Sequence, residues 1–345
     1  MPKINQQKIK HKKGVNCEAS ALRDLLSYYG YELNEDICFG LGGGASFLYV
    51  RYASSNDIFV NGRTEDIAEA ACSNLGLSYN VSRTFDTEKS FCRLKKHIDQ
   101  QAPAIISLDF SSCLSYYGDS LAVGISEYNN DHKIFINGYD DNLQIIYLYD
   151  NYFQEEKTLS YQKLFKGWNG DAKPFAPEHW MLTIAPPEKF LSLQDTLLHA
   201  VQLNIHHYLH PFGTGMGLKG LKKFSKDIFK WPLFMSAEEL KKNCYSVYSS
   251  LELIGSGGGN FRRMQARFLK FVSEQMYLSK LIPLYEEYFN IALLWREVAK
   301  MFHESSQNLH NGIFNENKIG QHQQLLENIY KTEHDLIYTL KQIFL

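Results

Sequence analysis

Residues 11–30 read His11-Lys-Lys-Gly-Val-Asn-Cys17-Glu-Ala-Ser-Ala-Leu-Arg-Asp-Leu-Leu-Ser-Tyr-Tyr-Gly30. Apolar side chains recur in this segment at intervals of three and four residues, at Ala21, Leu22, Leu25, Leu26 and Tyr29. This spacing places them on one face of a helix. Asn16 and Gly30 are typical residues for the start and the end of a helix. The segment therefore predicts an amphipathic helix with Cys17 in its first turn.

The position of Cys17 favours a reactive thiol. The first N–H groups of a helix have no partner within it, and the helix dipole is positive at this end. Both effects stabilise a thiolate at the helix start. The alternative is that Cys17 is a small buried residue, because free cysteines are among the most buried residue types. The helix alone leaves both interpretations open.

The composition is that of a globular protein of two domains without a dominant charge. The chain has 345 residues, of which 44% are hydrophobic, with 36 Lys and Arg against 38 Asp and Glu. A single core rarely extends over this length. The balanced charge offers no field that would attract nucleic acid or an anionic membrane. A basic run precedes Cys17 and is either a flexible start or a surface that suits an acidic carrier protein: Lys8, Lys10, Lys12 and Lys13.

The sequence predicts a reduced, cytoplasmic protein without a metal. No segment approaches the roughly 18–20 apolar residues of a membrane span, and the N-terminus lacks the apolar region of a signal peptide. No CxxC pair occurs among the six cysteines, which argues against a zinc site or a disulfide framework. The cysteines are Cys17, Cys38, Cys72, Cys92, Cys113 and Cys244. His206 and His210 have i, i+4 spacing but no acidic third ligand, so no metal is expected there.

The two halves of the chain differ in their patterns. Residues 1–187 mix helical periods with short β-branched runs, which predicts an α+β domain. We expect helices at 64–75 and 90–101, and strands at 47–50, 104–109, 132–139, 143–150 and 180–185. Residues 188–345 carry long helical periods, which predicts an all-helical second domain that covers the site or binds donor or acceptor. Its expected helices are 192–209, 217–230, 236–253, 260–281, 283–304 and 319–345.

Two residues of the predicted hairpin are candidate partners of Cys17. His132 opens its first strand, and Asp150 ends its second, so both side chains come to one end of adjacent antiparallel strands. A nucleophilic thiol needs a base, and the base needs an orienting group. A Cys on a helix, a His on a strand and a following Asp are the arrangement of papain-like folds. Taken singly, each is equally explained as a surface histidine or a turn-forming aspartate.

The sequence resembles the butirosin biosynthesis protein H family. The resemblance lies in Gly14 to Gly30, in Asn34-Glu-Asp-Ile-Cys-Phe-Gly-Leu-Gly-Gly43 and in Phe47-Leu-Tyr-Val50. Gly213 to Lys222 and Gly257-Gly-Gly-Asn-Phe-Arg262-Arg263 resemble the helical second half of that family. The resemblance implies a papain-like first domain, similar to bacteriocin-leader peptidases. It also implies transfer of an acyl or aminoacyl group from an acyl carrier protein thioester to an amine acceptor, in antibiotic-like secondary metabolism.

The resemblance also suggests further site residues. Those peptidases have a Gln six residues before the Cys that helps to form the oxyanion hole, and His11 stands at that position here. His11 is therefore either an oxyanion donor or a residue that fixes the loop. Asn16 is a second candidate for oxyanion or substrate contact. Arg262 and Arg263 are candidates for binding a substrate carboxylate or the phosphopantetheine phosphate, with surface salt bridges as the alternative.

Three functional hypotheses follow. In the first, Cys17, His132 and Asp150 transfer an acyl group from a carrier protein to a small-molecule amine. In the second, a thiol amidase or peptidase, water resolves the acyl-enzyme. In the third, the chain is a binding module without catalysis. No cofactor is expected, because phosphopantetheine would arrive on the donor, and the sequence leaves open whether the chain forms a homodimer.

Overall fold

The computed structural model describes residues 3–4, 9–52, 55–109, 131–170, 176–187 and 189–345. Lys8 of the basic run and Cys113 lie outside these residues. The chain divides into two compact units, Met1–Cys38 with Ala68–Leu191, and Phe39–Ile67 with Ser192–Leu345. In the described part of the chain, no helix is long and apolar enough to cross a membrane.

The elements alternate in the first half of the chain and become helical in the second. The helices are α1 Cys17–Tyr28, α2 Glu35–Leu41, α3 Ile67–Asn74, α4 Thr87–Asp99, α5 Tyr161–Trp168, α6 Leu193–Leu209, α7 Gly217–Asp227, α8 Ala237–Tyr248, α9 Arg262–Gln275, α10 Ile282–Gln307 and α11 Ile319–Phe344. The strands are β1 Lys3–Ile4, β2 Ala45–Arg51, β3 Ile58–Arg63, β4 Tyr79–Ser82, β5 Ala104–Leu108, β6 His132–Asp140, β7 Ile145–Tyr149, β8 Lys157–Ser160 and β9 Met181–Ile184.

An antiparallel sheet forms the centre of the first unit. Its order is β4-β9-β5-β6-β7-β8, and β1 also pairs with β6. All nine residues of β6 are buried, which fits a central strand covered on both faces. Helix α1 packs against β5 and β6. The predicted hairpin of β6 and β7 is confirmed, because their pairing is antiparallel.

The β6–β7 register brings two candidate residues to one face of the sheet. Phe135 pairs with Tyr149, so the residue after Tyr149 falls opposite Ile134. Side chains two residues apart on a strand point to the same face. Asp150 and His132 are therefore diagonal neighbours on one face, at the edge where β6 begins.

The second unit combines helices with a hairpin from the first half of the chain. Strands β2 and β3 pair with each other, and this hairpin packs against α7. Phe47 of β2 lies 5.5 Å from the ring of Phe224 and 5.6 Å from that of Trp295, measured between ring centroids. Asn243 of α8 accepts the backbone N–H of Ile58 at 2.7 Å. Large aromatic side chains therefore join the hairpin to the helices.

This arrangement corrects the expected domain division. We placed residues 1–187 in one domain and residues 188–345 in an all-helical second one. Residues 39–67 instead pack with the C-terminal helices, so the second unit contains strands as well. The helical periods after residue 191 were correctly assigned to helices. The assignment of the β2–β3 hairpin to the first domain was wrong. The position of this hairpin depends on contacts with residues about 150–250 positions later, such as Phe224 and Trp295.

Candidate active site

Cys17 is the first residue of α1, as the sequence predicts. Asn16 precedes it in extended conformation, and its side chain accepts the backbone N–H of Ala19 at 2.9 Å. Asn16 is thus the N-cap of this helix, which fixes where the helix begins. The Cys17 side chain is partly exposed. Its backbone N–H has no acceptor within the helix, because it belongs to the first turn.

His132 and Asp150 form a buried pair beside this thiol. The distance from His132 Nε2 to Asp150 Oδ2 is 2.7 Å, and each residue is only 1% exposed. The second oxygen of Asp150 accepts the backbone N–H of Tyr152 at 3.1 Å. Cys17 is within hydrogen-bonding contact of the His132 side chain. Since Asp150 holds Nε2, the nitrogen available to the thiol is Nδ1.

The electrostatics of this group favour a protonated imidazole. Burial by itself lowers the pKa of His132, but the Asp150 carboxylate and Cys17 outweigh it and raise the pKa to about 10. A nearby negative charge and hydrogen bonds to the charged form explain that direction. A protonated His132 therefore stands between an anion on one side and a thiol on the other. The Cys17 side chain therefore lies next to a positively charged group.

The pre-helix loop, residues 11–16, is tied to the Asp150 segment, residues 150–154. The Gly14 backbone N–H donates to the Asn151 carbonyl oxygen at 2.8 Å, and Asn151 Nδ2 donates back to the Gly14 carbonyl at 3.3 Å. Gln154 Nε2 donates to the His11 carbonyl at 3.1 Å. The backbone before Cys17 is thereby bonded to the backbone that follows Asp150.

Glu35 holds the same loop from its other side. One carboxylate oxygen accepts the backbone N–H groups of Val15 at 2.8 Å and Asn16 at 2.5 Å. A side chain at Gly14 would collide with Ser20 Oγ and lie 2.8 Å from the other carboxylate oxygen of Glu35. Burial raises the pKa of Glu35, while these N–H groups oppose that shift. A side chain at position 14 would therefore have to displace Ser20 or Glu35, and Glu35 is the acceptor for two N–H groups of the loop.

Comparison with family models covers both parts of the chain. The model described as "Butirosin biosynthesis protein H, N-terminal" matches residues 16–151, from the N-cap of α1 to the residue after Asp150. The model described as "Domain of unknown function (DUF4872)" matches residues 168–340. Residues 16–151 therefore form an N-terminal domain of the butirosin biosynthesis protein H family, and residues 168–340 form a DUF4872 domain. No curated protein matches it.

The three residues of the buried site all lie within the butirosin biosynthesis protein H match. His11 precedes the matched residues, and Arg262 and Arg263 fall in the domain of unknown function. The family finding places the chain with a protein of antibiotic biosynthesis. It names no residue, so the chemistry of the site must be argued from its geometry.

His11 does not have a ring nitrogen available for an oxyanion. Its Nδ1 lies 2.6 Å from Asp24 Oδ2, and its Nε2 lies 2.7 Å from the Phe153 carbonyl oxygen. The interpretation as an oxyanion donor is therefore wrong for this structure, and the alternative role of fixing the loop is the one observed. Asn16 likewise caps α1, with its side-chain oxygen bonded to Ala19.

The two arginines differ from the prediction of a substrate contact. Arg262 is completely buried and forms a bidentate pair with Glu333, with N···O distances of 2.9 and 2.7 Å. Its Nη1 donates to the carbonyl oxygens of Gly62 and Asn260, each at 2.8 Å. Each of the three guanidinium nitrogens is thus bonded inside the second unit, and the side chain is fully buried, which contradicts the predicted substrate contact. Arg263 is partly buried in the first turn of α9.

The glycine-rich segment before α9 binds a carboxylate of the protein itself. Gly257, Gly258 and Gly259 have positive φ angles, as do Asn260 and Phe261. Successive N–H groups in such a backbone conformation can form a nest for an anion. Glu252 supplies that anion internally, since its carboxylate accepts the Gly259 N–H at 3.0 Å. Among the described residues, no group of three or more His, Cys, Asp or Glu side chains is placed to hold a metal ion.

Sequence reasoning missed Tyr152. Its ring centroid lies 6.1 Å from that of His132, with the two planes 30° apart. Burial raises the pKa of the Tyr152 hydroxyl, and the charges of Cys17 and Asp150 raise it further. The tyrosine therefore stays neutral and shields one side of the buried pair from water. The available signal was an aromatic residue two positions after the candidate aspartate.

Proposed function

We propose that this chain is a cysteine-dependent acyltransferase of secondary-metabolite biosynthesis, with Cys17 as the nucleophile. The observation that carries the proposal is the contact of a partly exposed thiol with a buried His132–Asp150 pair. A thiol, an imidazole and a carboxylate in this order are the components of covalent acyl transfer. The helix start packed on an antiparallel sheet supports a papain-like arrangement, and membership in the family supports a biosynthetic role.

The first step transfers the acyl group to the enzyme. The Cys17 thiolate attacks the thioester carbonyl, and the new carbon–sulfur bond forms a tetrahedral intermediate. The backbone N–H of Cys17 can donate to its oxyanion. The carbon–sulfur bond to the donor then breaks, and protonated His132 gives its proton to the departing thiolate. Since one thioester replaces another, this exchange is close to balanced in free energy.

The second step releases the acyl group to an amine. The amine nitrogen attacks the acyl-enzyme carbonyl, and neutral His132 accepts the proton that the nitrogen loses. The bond from carbon to the Cys17 sulfur breaks, which restores the thiolate beside a protonated imidazole. An amide is more stable than a thioester, so this step runs downhill. Asp150 keeps the imidazole oriented and stabilises its charge in both steps.

The proposed donor is an acyl carrier protein, and the proposed acceptor is a small-molecule amine. Lys12 and Lys13 are exposed in the pre-helix loop, and Lys10 is exposed beside Glu32 at 3.3 Å. These positive charges lie within seven residues of Cys17, where they suit an acidic donor or the phosphate of its arm. The enzyme itself needs no cofactor for this chemistry, since the phosphopantetheine belongs to the donor.

Intact mass spectrometry tests the proposal. We expect an acyl adduct on Cys17 after incubation with an acyl-carrier donor, and its disappearance with formation of an amide when an amine is added. Cys17→Ser is expected to lose the adduct. Cys92→Ser is the matched control, because Cys92 is an exposed cysteine outside the site. Release of free acid that saturating amine does not diminish would favour a hydrolase, and absence of any Cys17-dependent adduct would indicate a binding module.

A further inference from the structure

We propose that His11 is a positioning residue that holds Cys17 in register with the His132–Asp150 pair. This inference rests on the proposed function, because it takes Cys17 as the reactive thiol. His11 lies six residues before Cys17 and is buried, with both ring nitrogens engaged. The role of His11 follows from the two groups that its ring nitrogens bind.

Both ring nitrogens of His11 are engaged in hydrogen bonds. The Phe153 carbonyl oxygen can only accept, so Nε2 donates to it at 2.7 Å. Nδ1 bonds to Asp24 Oδ2 at 2.6 Å, and the other oxygen of Asp24 accepts from the Arg23 guanidinium at 3.0 and 2.9 Å. His11 thus binds a carbonyl oxygen on one side and a carboxyl group on the other.

These two bonds join the elements that carry the proposed catalytic residues. Asp24 belongs to α1, two turns beyond Cys17, whereas Phe153 follows Asp150 by three residues. The Tyr149 ring, at the end of β7, lies 4.8 Å from the His11 ring between centroids. His11 thus bridges the Cys17 helix and the Asp150 segment.

The other bonds between the pre-helix loop and the Asp150 segment join uncharged groups, and the shortest is the 2.8 Å backbone bond from the Gly14 N–H to the Asn151 carbonyl oxygen. Asn151 Nδ2 reaches the Gly14 and Val15 carbonyl oxygens at 3.3 and 3.5 Å, and Gln154 is an exposed neutral donor. The two bonds of His11 are shorter, at 2.6 and 2.7 Å, and His11 itself is buried. Its loss would let the helix start shift against the Asp150 segment, and a misplacement of about 1 Å can cost a reaction roughly 100-fold.

A matched pair of histidine variants tests this role in the full-length chain. His11→Ala removes both bonds of the bridge. His179→Ala is the control, because His179 is also buried in the first unit with both nitrogens bonded, to the Thr84 carbonyl at 2.6 Å and to Thr87 Oγ1 at 2.9 Å. The measurements are the rate of Cys17 alkylation by iodoacetamide, followed by intact mass in a Cys92→Ser background, and the melting temperature.

We expect both variants to lower the melting temperature, and only His11→Ala to slow alkylation of the folded protein, by about 10- to 100-fold. His11→Gln keeps one donating nitrogen and should give an intermediate rate. Equal rates for His11→Ala and His179→Ala overturn the positioning role. If the unsubstituted protein is not alkylated at Cys17, the proposed function fails instead.

A second substitution covers the case in which His11→Ala does not fold. Gln154→Ala removes only the bond to the His11 carbonyl, from an exposed side chain that the fold tolerates losing. We expect it to slow Cys17 alkylation less than His11→Gln does. Unchanged rates in both Gln154→Ala and His11→Gln overturn the proposal.

Discussion

Two of the buried ion pairs among the described residues have the same length but different surroundings. His132 and Asp150 meet at 2.7 Å in the first unit, and Arg262 and Glu333 meet at 2.7 Å in the second. Arg262 also bonds two carbonyl oxygens, and Glu333 also accepts the indole N–H of Trp295 at 2.8 Å. His132 instead contacts a partly exposed thiol.

The difference shows what separates a structural pair from one that we propose to be reactive. Burial and ionic pairing are common to both, so neither property identifies a site. Each nitrogen of Arg262 and both oxygens of Glu333 are bonded within the protein, and both side chains are buried away from any substrate. The His132–Asp150 pair keeps one imidazole nitrogen beside a group that solvent can reach. The following predictions test this contrast, from the largest expected effect to the smallest.

Replacement of the thiol should abolish the reactivity of the first pair. Cys17→Ser is expected to give no stable acyl or carboxamidomethyl adduct at position 17, because a neutral hydroxyl is a far weaker nucleophile than a thiolate. Intact mass spectrometry with peptide mapping measures this. Undiminished labelling of the protein in Cys17→Ser, with Cys92 also replaced, would place the reactive thiol elsewhere.

Removal of the Asp150 charge should slow acylation by about 100- to 10,000-fold, as expected for an imidazole that loses its orienting carboxylate. Asp150→Asn keeps the shape of the side chain and lowers the pKa of His132, because the Asp150 carboxylate is among the groups that raise it.

The pKa of His132 is about 10 in the folded chain and 6.5 when unperturbed. The pair therefore stabilises the fold fully below about pH 6.5 and loses this contribution as the pH rises towards 10.

Denaturant unfolding at pH 6 and pH 10 measures that linkage. The unsubstituted protein should lose more unfolding free energy between these pH values than Asp150→Asn does. Equal pH dependence in both proteins would contradict the assigned direction of the His132 shift.

Truncation of the Arg262–Glu333 pair should destabilise the folded protein without changing the reactivity of Cys17. Arg262→Ala leaves Glu333 charged and unpaired, and breaking a buried pair in this way costs about 3–5 kcal/mol. Arg263→Ala, at the next and partly exposed position, is the matched control and should cost much less. Unfolding free energies measure the difference, and alkylation of Cys17 in the folded Arg262→Ala protein should proceed at the normal rate. A stable Arg262→Ala protein with slow alkylation would reverse the contrast between the two pairs.

The smallest effect is expected at the helix cap. Asn16→Ala removes the acceptor for the Ala19 N–H, and loss of an N-cap typically costs about 1 kcal/mol. Asn16→Asp keeps the acceptor and should restore the stability. Thermal unfolding distinguishes the two variants. If both lose the same stability, the cap bond is not what holds the start of α1.

The sequence by itself determined the features that arise from neighbouring residues. The apolar period of residues 21–29 and the capping Asn16 place Cys17 at the start of a helix. The apolar runs on either side of residues 140–142 form the β6–β7 hairpin. Intrinsic turn and helix signals act over a few residues, so they can be identified without the fold. The family resemblance came from the same local segments.

The tertiary structure decided which candidates meet. His11 and His132 are both buried histidines with aspartate partners, and only the fold shows that one faces the thiol while the other bridges Asp24 and Phe153. The sequence offers Arg262 as a candidate for substrate binding, and the fold shows that Arg262 binds Glu333, 71 residues away. Such contacts depend on the packing of distant segments, which local periodicity does not encode. For this reason the sequence predicted Cys17 as the nucleophile, whereas the structure distinguished the residues beside Cys17 from those that only hold the fold.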